Sequence, residues 1–200
     1  MSSIVVAGDT SGSITISAPA VSGSNTLSLP AVTDTLAGIA ATQTLTNKSI
    51  AATQLTGTIA AAVLPAGSVI QVVNATTTTA TSTTSLTFVA TLLTASITPR
   101  SASNKILVQV TGPADSAAAN TQVIATIYRN ATNIGGANGF TNIFSTGGRL
   151  IGSIAMTCLD SPATTSSTAY TVYILGTSGV SVTFPQGAAA ASITLMEIAV

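Results

Sequence analysis

The sequence predicts an all-β protein in which a jelly-roll-like β-sandwich at the C-terminus follows an extended stalk and an N-terminal β-repeat. Short apolar runs alternate with polar residues in many segments, and this alternation places the apolar side chains on one face of a strand. Segments rich in Gly, Pro, Asn and Ser separate these runs, as expected for turns between strands. The C-terminal part of the chain lacks helical periodicity, so helices are not expected there.

The chain is almost uncharged and lacks residue types on which most enzymes depend. Its 200 residues include five Lys and Arg, five Asp and Glu, no His and a single cysteine, Cys158, whereas about a quarter of an average domain is charged. Without His, no Ser-His-Asp or Cys-His nucleophile and no histidine-bearing metal site can form. The sequence therefore predicts no enzyme activity, no cofactor and no metal, and a buried structural role for the cysteine.

Nucleic-acid binding and membrane insertion are also not expected. Five dispersed cations cannot form the basic patch that phosphate neutralisation requires. No apolar stretch approaches the ~18 residues of a membrane-spanning helix, and the N-terminal segment does not have the pattern of a secretory signal.

Residues 1–36 contain an internal repeat that predicts two strands. Ser11–Pro19 is repeated as Ser22–Pro30, with six of nine positions identical at a period of eleven. Each copy alternates apolar and polar residues, opens with a Ser-Gly turn and closes at a proline, which cannot donate to a β-ladder. Two strands cannot bury an apolar face alone, so we expect this region to need a partner.

The sequence pattern of residues 37–66 predicts an extended stalk that is intertwined with other copies of the chain. Ile50, Leu55, Ile59 and Val63 have the wrong spacing for a strand, and the Gly and Thr residues between them disfavour a helix. A structureless loop of this length is uncommon within a domain, and the segment is too apolar for a solvated linker. We therefore expect its apolar residues to be buried around an axis shared between copies.

The sequence pattern of residues 67–200 predicts about eight short strands. This number is typical of a β-sandwich and, in particular, of a jelly roll. Ile106, Val108 and Val110 alternate with polar positions and should share one face. The run Thr76–Thr84 could be an exposed loop or an edge strand, and we favour the loop. The candidate strands are Val69–Val73, Leu86–Leu92, Lys105–Thr111, Gln122–Arg129, Leu150–Cys158, Ala169–Thr177, Val180–Phe184 and Ile193–Ile198.

A resemblance to a known family is carried by segments from all three regions. These are Gly8–Pro19, Thr44–Ile50, Leu64–Val73, Leu159–Pro162 and Ser192–Ile198. In this order they resemble segments of tailed-bacteriophage fibres and other virion structural proteins. The resemblance implies a homotrimeric appendage of the virion, assembled in the cytoplasm of the host bacterium, whose N-terminal region joins other virion proteins and whose C-terminal domain faces outward.

The implied function is that of a short fibre that contacts a glycan or protein on the host cell surface. A capsid decoration protein that stabilises the head is the alternative. A polysaccharide-degrading tailspike is a more remote one, because the sequence lacks aromatic platforms for sugars. A tailspike would also need two carboxylates from among Asp9, Asp34, Asp115, Asp160 and Glu197.

External contacts are expected at loops on one end of the sandwich, because binding residues concentrate on loops held by a rigid scaffold. Segments 130–148 and 160–168 are rich in Asn, Gly, Ser and Thr, which can form hydrogen bonds without net charge. The residues predicted to contact a receptor or partner are Asn133, Asn138, Asn142, Arg149 and Asp160.

The charged side chains of this domain could form ion pairs within the protein instead of contacting a receptor. Arg129 and Arg149 could pair with Asp160 or Asp115 instead of contacting a receptor.

The tyrosines could lie in the core, at an interface or at a glycan-stacking site. Tyr170 and Tyr173 are an odd number of positions apart and point to opposite faces of a strand, so at most one of them belongs to the core of a single sheet.

Overall fold

The computed structural model describes residues 3–7, 11–17, 49 and 63–200. The chain divides into two units, Met1–Thr56 and Gly57–Val200. The described residues form antiparallel β-structure, as the sequence predicts. The second copy of the repeat, and the predicted stalk apart from residues 49 and 63–66, lie outside the described residues.

In the N-terminal unit, strand β1 (Ser3–Ala7) pairs antiparallel with strand β2 (Ser13–Ser17). Strand β2 is the first copy of the repeat, which confirms that strand prediction, but its partner is the apolar segment that precedes it. Gly12, just before β2, has a φ of 81°, a conformation that favours glycine. The side chains of Val5 and Val6 are more than half exposed within the chain.

The C-terminal unit contains two further sheets. Its strands are β3 (Val69–Thr77), β4 (Thr81–Thr83), β5 (Val89–Ile97), β6 (Lys105–Ser116), β7 (Thr121–Arg129), β8 (Thr132–Asn133), β9 (Thr141–Ser145), β10 (Leu150–Asp160), β11 (Thr168–Gly176), β12 (Val182–Phe184) and β13 (Ala191–Ile198). The first sheet has the order β3-β13-β6-β12-β4, and β10 pairs along the other edge of β6. The second sheet has the order β5-β11-β7-β8, and β9 also pairs with β7.

Apolar side chains from both sheets form one core, so the unit is β-sandwich-like. Ile106, Val108 and Val110 of the first sheet are all buried, which confirms the predicted face of β6. Ile127 and Val172 of the second sheet pack in the same core. Burial of each such side chain contributes about 1.5–3 kcal/mol, which makes the alternating apolar residues the main source of stability in this unit.

The chain enters and leaves the sandwich at the same end. The amide of Gly67 donates to the carbonyl of Ala199 at 2.8 Å, and the amide of Ala199 donates to the carbonyl of Ser68 at 2.9 Å. Strand β3 then runs beside β13 along its length. We call this end the proximal end of the sandwich and the opposite one the distal end.

The run Thr76–Thr84 is mostly strand, so the predicted loop is wrong. Strand β3 continues through Thr77, and Thr81–Thr83 forms β4, which pairs with β12. Threonine is β-branched and suits a strand, and pairing with β12 satisfies the backbone polar groups of β4 that face it. Strand β9 is not predicted from the sequence either, because the Asn and Gly residues around it are typical of loops.

Candidate recognition surface on the second sheet

Three aromatic side chains cluster on the outward face of the second sheet. The rings of Tyr128 on β7 and Tyr173 on β11 stack with centroids 3.8 Å apart and an interplanar angle of 21°. Phe88, just before β5, meets Tyr128 edge-on at 6.3 Å. An edge-on pair such as Phe88 and Tyr128 contributes about 0.5–1.5 kcal/mol beyond the burial of its area. We call these three residues the aromatic surface.

The alternation of the strands explains why these rings meet. Tyr173 lies between buried Val172 and Ile174, so its side chain points away from the core. Tyr128 is directly opposite Thr171 in the β7–β11 ladder, which makes Tyr128 and Tyr173 diagonal neighbours on one face, within reach of each other's rings. Tyr170, by contrast, is fully buried, which confirms that the two tyrosines of β11 lie on opposite faces.

Hydroxyl groups and an exposed aliphatic side chain surround the rings. The hydroxyls of Thr94 and Thr171 lie 2.8 Å apart, and Thr94 also donates to the carbonyl of Tyr170. Leu92, on the neighbouring strand, is 60% exposed. The surface therefore combines partly exposed rings with neutral hydrogen-bonding groups, a composition common in recognition surfaces.

Asn133 shapes the loop at the edge of the aromatic surface. Its side-chain oxygen accepts from the Thr126 hydroxyl at 2.7 Å and from the Gly135 amide at 3.0 Å, and its nitrogen donates to the carbonyl of Gly136 at 2.8 Å. A Cβ at Gly135 would collide with the Thr126 hydroxyl and the Phe140 ring. The amide of Asn133 is thus used within the chain to hold this loop against β7.

Asn138 and Asn142 are exposed and lie nearer to the middle of the sandwich. Asn138 is in a turn closed by a hydrogen bond from the Gly139 amide to the Gly136 carbonyl at 3.2 Å. Asn142 is on β9, opposite Ile124. Both side chains are accessible for an external contact, and their role in one stays a prediction.

Arg149 and Asp115 form an ion pair within the chain. The Arg149 Nε donates to both carboxylate oxygens of Asp115 at 3.0 Å, and its Nη2 donates to Oδ2 at 2.8 Å. The hydrogen bond and the charge of Asp115 raise the pKa of Arg149. Because the Arg149 side chain is still 55% exposed, pairing leaves it accessible to a partner.

Asp160 ties the two sheets together at the proximal end. Its carboxylate accepts from Arg129 of β7 at 2.8 and 2.9 Å and from the Tyr170 hydroxyl of β11 at 2.7 Å, although Asp160 itself belongs to β10 of the other sheet. Burial and the hydrogen bond to Asp160 raise the pKa of Tyr170. Asp160 therefore has a structural role, and the pairing of both arginines agrees with the ion-pair interpretation of the sequence.

The structure does not bring the five predicted contact residues into one site. Arg149 precedes β10 and Asp160 is its last residue, so the two lie on the order of 35 Å apart at ~3.3 Å per residue. Asp160 and Asn133 lie towards the proximal end, and Arg149 lies at the distal end. The sequence leaves the tyrosines open between the core, an interface and a glycan-stacking site, because it does not show that Tyr128 and Tyr173 become diagonal neighbours. Their positions in alternating strands are the available signal.

The chain matches no protein-family model and no curated protein. In the part of the chain that the structure describes, no helix is long and apolar enough to cross a membrane. The same residues contain no group of three or more Cys, Asp or Glu side chains arranged to hold a metal ion.

Proposed function

We propose that this protein is a structural component of a bacteriophage virion, a homotrimeric fibre that projects from the particle and contacts the host cell surface through its sandwich. The observation that carries the proposal is the strand order of the C-terminal unit. The resemblance of the sequence to phage fibre proteins and the near absence of charged residues agree with it.

Eight strands of the unit support a jelly-roll topology. Without the short strands β4, β8 and β12, the first sheet has the order β3-β13-β6-β10 and the second the order β5-β11-β7-β9. Each connection but the one between β7 and β9 then crosses from one sheet to the other. Eight-stranded jelly rolls are common in viral capsid proteins and lectins, and this analogy of fold favours a virion protein that binds surfaces.

The aromatic surface is the part of the sandwich best suited to contact the host. Tyrosine supplies a large contact area at a low cost in conformational entropy and is enriched at binding hot spots. Its position on a rigid sheet keeps the rings in place before binding, which reduces the entropy lost on association. The neutral threonines beside it add hydrogen bonds without a charge to desolvate.

The location is tested by immunogold electron microscopy of virions with an antibody against residues 63–200. Label on a structure that projects from the tail or baseplate is expected. Label spread over the capsid, together with loss of head stability when the protein is removed, would favour the decoration protein instead.

The host contact is tested with the full-length protein and its Tyr173→Ala and Tyr128→Ala variants, by measuring binding to host cells and competition with phage adsorption. We expect each variant to bind at least ~10-fold more weakly, since truncation of a hot-spot residue costs about 2 kcal/mol or more and about 1.4 kcal/mol already corresponds to a tenfold change. Phe144→Ala is the matched control, because Phe144 is 48% exposed on β9 outside the aromatic surface. Wild-type binding by both tyrosine variants would contradict the assignment of this surface.

A further inference from the structure

A row of large apolar side chains crosses the outward face of the first sheet. In the paired registers, Leu159 of β10 is opposite Leu107 of β6, Leu107 is opposite Met196 of β13, and Met196 is opposite Val72 of β3. The row therefore spans four adjacent strands, about 14 Å at ~4.8 Å per strand spacing. We call these four residues the apolar row.

The apolar row points away from the core. Each member lies between inward neighbours, as Leu107 does between Ile106 and Val108, which are both fully buried. Leu159 is 55% exposed and Val72 is 57% exposed, and the two central members are partly exposed. An exposed contiguous apolar patch is a candidate interaction site.

The surroundings of the apolar row carry little charge. Where the four strands run side by side, from Lys105 to Thr111 of β6, Lys105 is the one charged outward residue among those the structure describes. The next row towards the distal end is neutral and polar, with Thr157, Gln109 and Thr194 directly opposite one another. The face is therefore compatible with a second uncharged protein surface.

We infer that the apolar row is the surface by which the sandwiches of neighbouring copies of this chain pack against each other; this inference rests on the self-association that the proposed fibre requires. The row lies at the proximal end, since Val72 and Met196 are near the start of β3 and the end of β13. The 62 residues that precede position 63 are attached at this end. Association of those residues around a shared axis would hold the proximal ends of the sandwiches close together.

A second copy fits this face better than a partner of different chemistry. The chain has zero net charge and five residues of each sign, so copies do not repel one another as they approach. Packing through the first sheet also leaves the aromatic surface free, because that surface lies on the outward face of the other sheet. One face of the sandwich would then assemble the fibre while the opposite face binds.

The test uses the full chain and the double variant Val72→Lys/Leu159→Lys, with sedimentation over a range of concentrations. Both side chains are more than half exposed within one chain, so a monomer can keep the lysines in water, whereas an interface would have to bury them. We expect the concentration for half-dissociation to rise at least ~10-fold. The matched control is Leu86→Lys/Phe144→Lys, whose positions are 64% and 48% exposed away from the apolar row.

A second measurement uses the wild-type protein alone and does not depend on how the variants fold. Peroxide oxidises accessible methionines to sulfoxide, so Met196 should be protected above the dissociation concentration and oxidised below it. Met156, which is 3% exposed, serves as the internal buried reference.

The outcomes separate this inference from the proposed function. One outcome is a trimer that dissociates at the same concentration in the row variant and in the control, with Met196 oxidised freely. This outcome overturns the inference but does not contradict the proposed trimeric fibre. A dimer that the row variant disrupts supports the inference and contradicts the trimer. A folded monomer at micromolar concentration overturns both.

Discussion

The hydroxyl of Tyr170 donates a hydrogen bond of 2.7 Å to Oδ2 of Asp160. Tyr170 reaches this carboxylate from within the core, where it is fully buried on the second sheet, and Asp160 ends strand β10 of the first. Arg129 binds the same carboxylate and also donates to the carbonyl of Ser161. One carboxylate thus connects three strands from two sheets, in a chain that has only five carboxylate side chains.

Tyr170→Phe should lower the free energy of unfolding by about 1–2 kcal/mol, because it removes a hydrogen bond to a charged group while Arg129 continues to pair with Asp160. Urea unfolding followed by circular dichroism measures the change. Tyr173→Phe is the control, since among the described residues its hydroxyl forms no hydrogen bond, and its effect should stay within ~0.5 kcal/mol. Equal effects of the two substitutions would contradict the structural role of the Tyr170 hydroxyl.

Glu197 is a second buried carboxylate, and among the residues that the structure describes its partners are hydrogen-bond donors rather than a cation. Its side chain is fully buried and accepts from Gln71 at 2.5 Å, from Asn104 at 2.6 Å and from the amide of Arg100 at 2.7 Å. Burial alone would raise the pKa, but these donors together lower it from its ordinary value of 4.5. The carboxylate holds the turn between β5 and β6 against the last strand.

Glu197→Gln should destabilise the protein by about 1.5–3 kcal/mol at pH 7, because the amide cannot accept from all of these donors. Since folding lowers the pKa of Glu197, the carboxylate contributes stability above its ordinary pKa of 4.5, and this contribution is lost as the pH falls through the folded-state value. The difference in unfolding free energy between wild type and variant should therefore narrow below about pH 4.5. A difference that stays constant from pH 7 to pH 3 would contradict this.

The sequence predicts the sandwich strands well where alternation and burial agree, as at Ile106, Val108 and Val110. Strand prediction fails in segments of uniform composition, because such a segment does not indicate which other strand it pairs with. The threonines of β4 form a strand because β12 lies beside them, and no local pattern shows that long-range contact. The aromatic surface is hidden for the same reason, since the register between β7 and β11 decides that Tyr128 meets Tyr173. Ion pairing of the arginines was foreseeable because the domain has few charges to pair.

Gly112→Ala should destabilise the sandwich by about 1–3 kcal/mol through overpacking. A Cβ at this position would lie 2.5 Å from the Cβ of Ala191 and 2.8 Å from the ring of Phe184, so the strand or the ring must move. Gly147→Ala is the matched control, because nothing lies within 4 Å of its Cβ position. Thermal unfolding of both variants measures the effect, and similar midpoints for the two would show that the contact at Gly112 is not restrictive.

The thiol of Cys158 should react slowly in the folded protein. Burial, together with the negative charge of Asp160, raises its pKa from an ordinary value of 9.0 to about 11, and the side chain packs against the core. Because only the thiolate attacks an alkylating reagent, a shift of this size lowers the reactive fraction at pH 8 by about 100-fold. Alkylation by iodoacetamide at pH 8, followed by mass spectrometry, should therefore be at least that much slower in native protein than in urea-unfolded protein.

The alkylation rate of Cys158 in native protein should also rise about tenfold for each pH unit between 8 and 10, because the thiolate fraction does so while the pH stays below the pKa. Equal rates in native and unfolded protein would show that the thiol is accessible and ionises normally, which would contradict the buried structural role predicted for this cysteine.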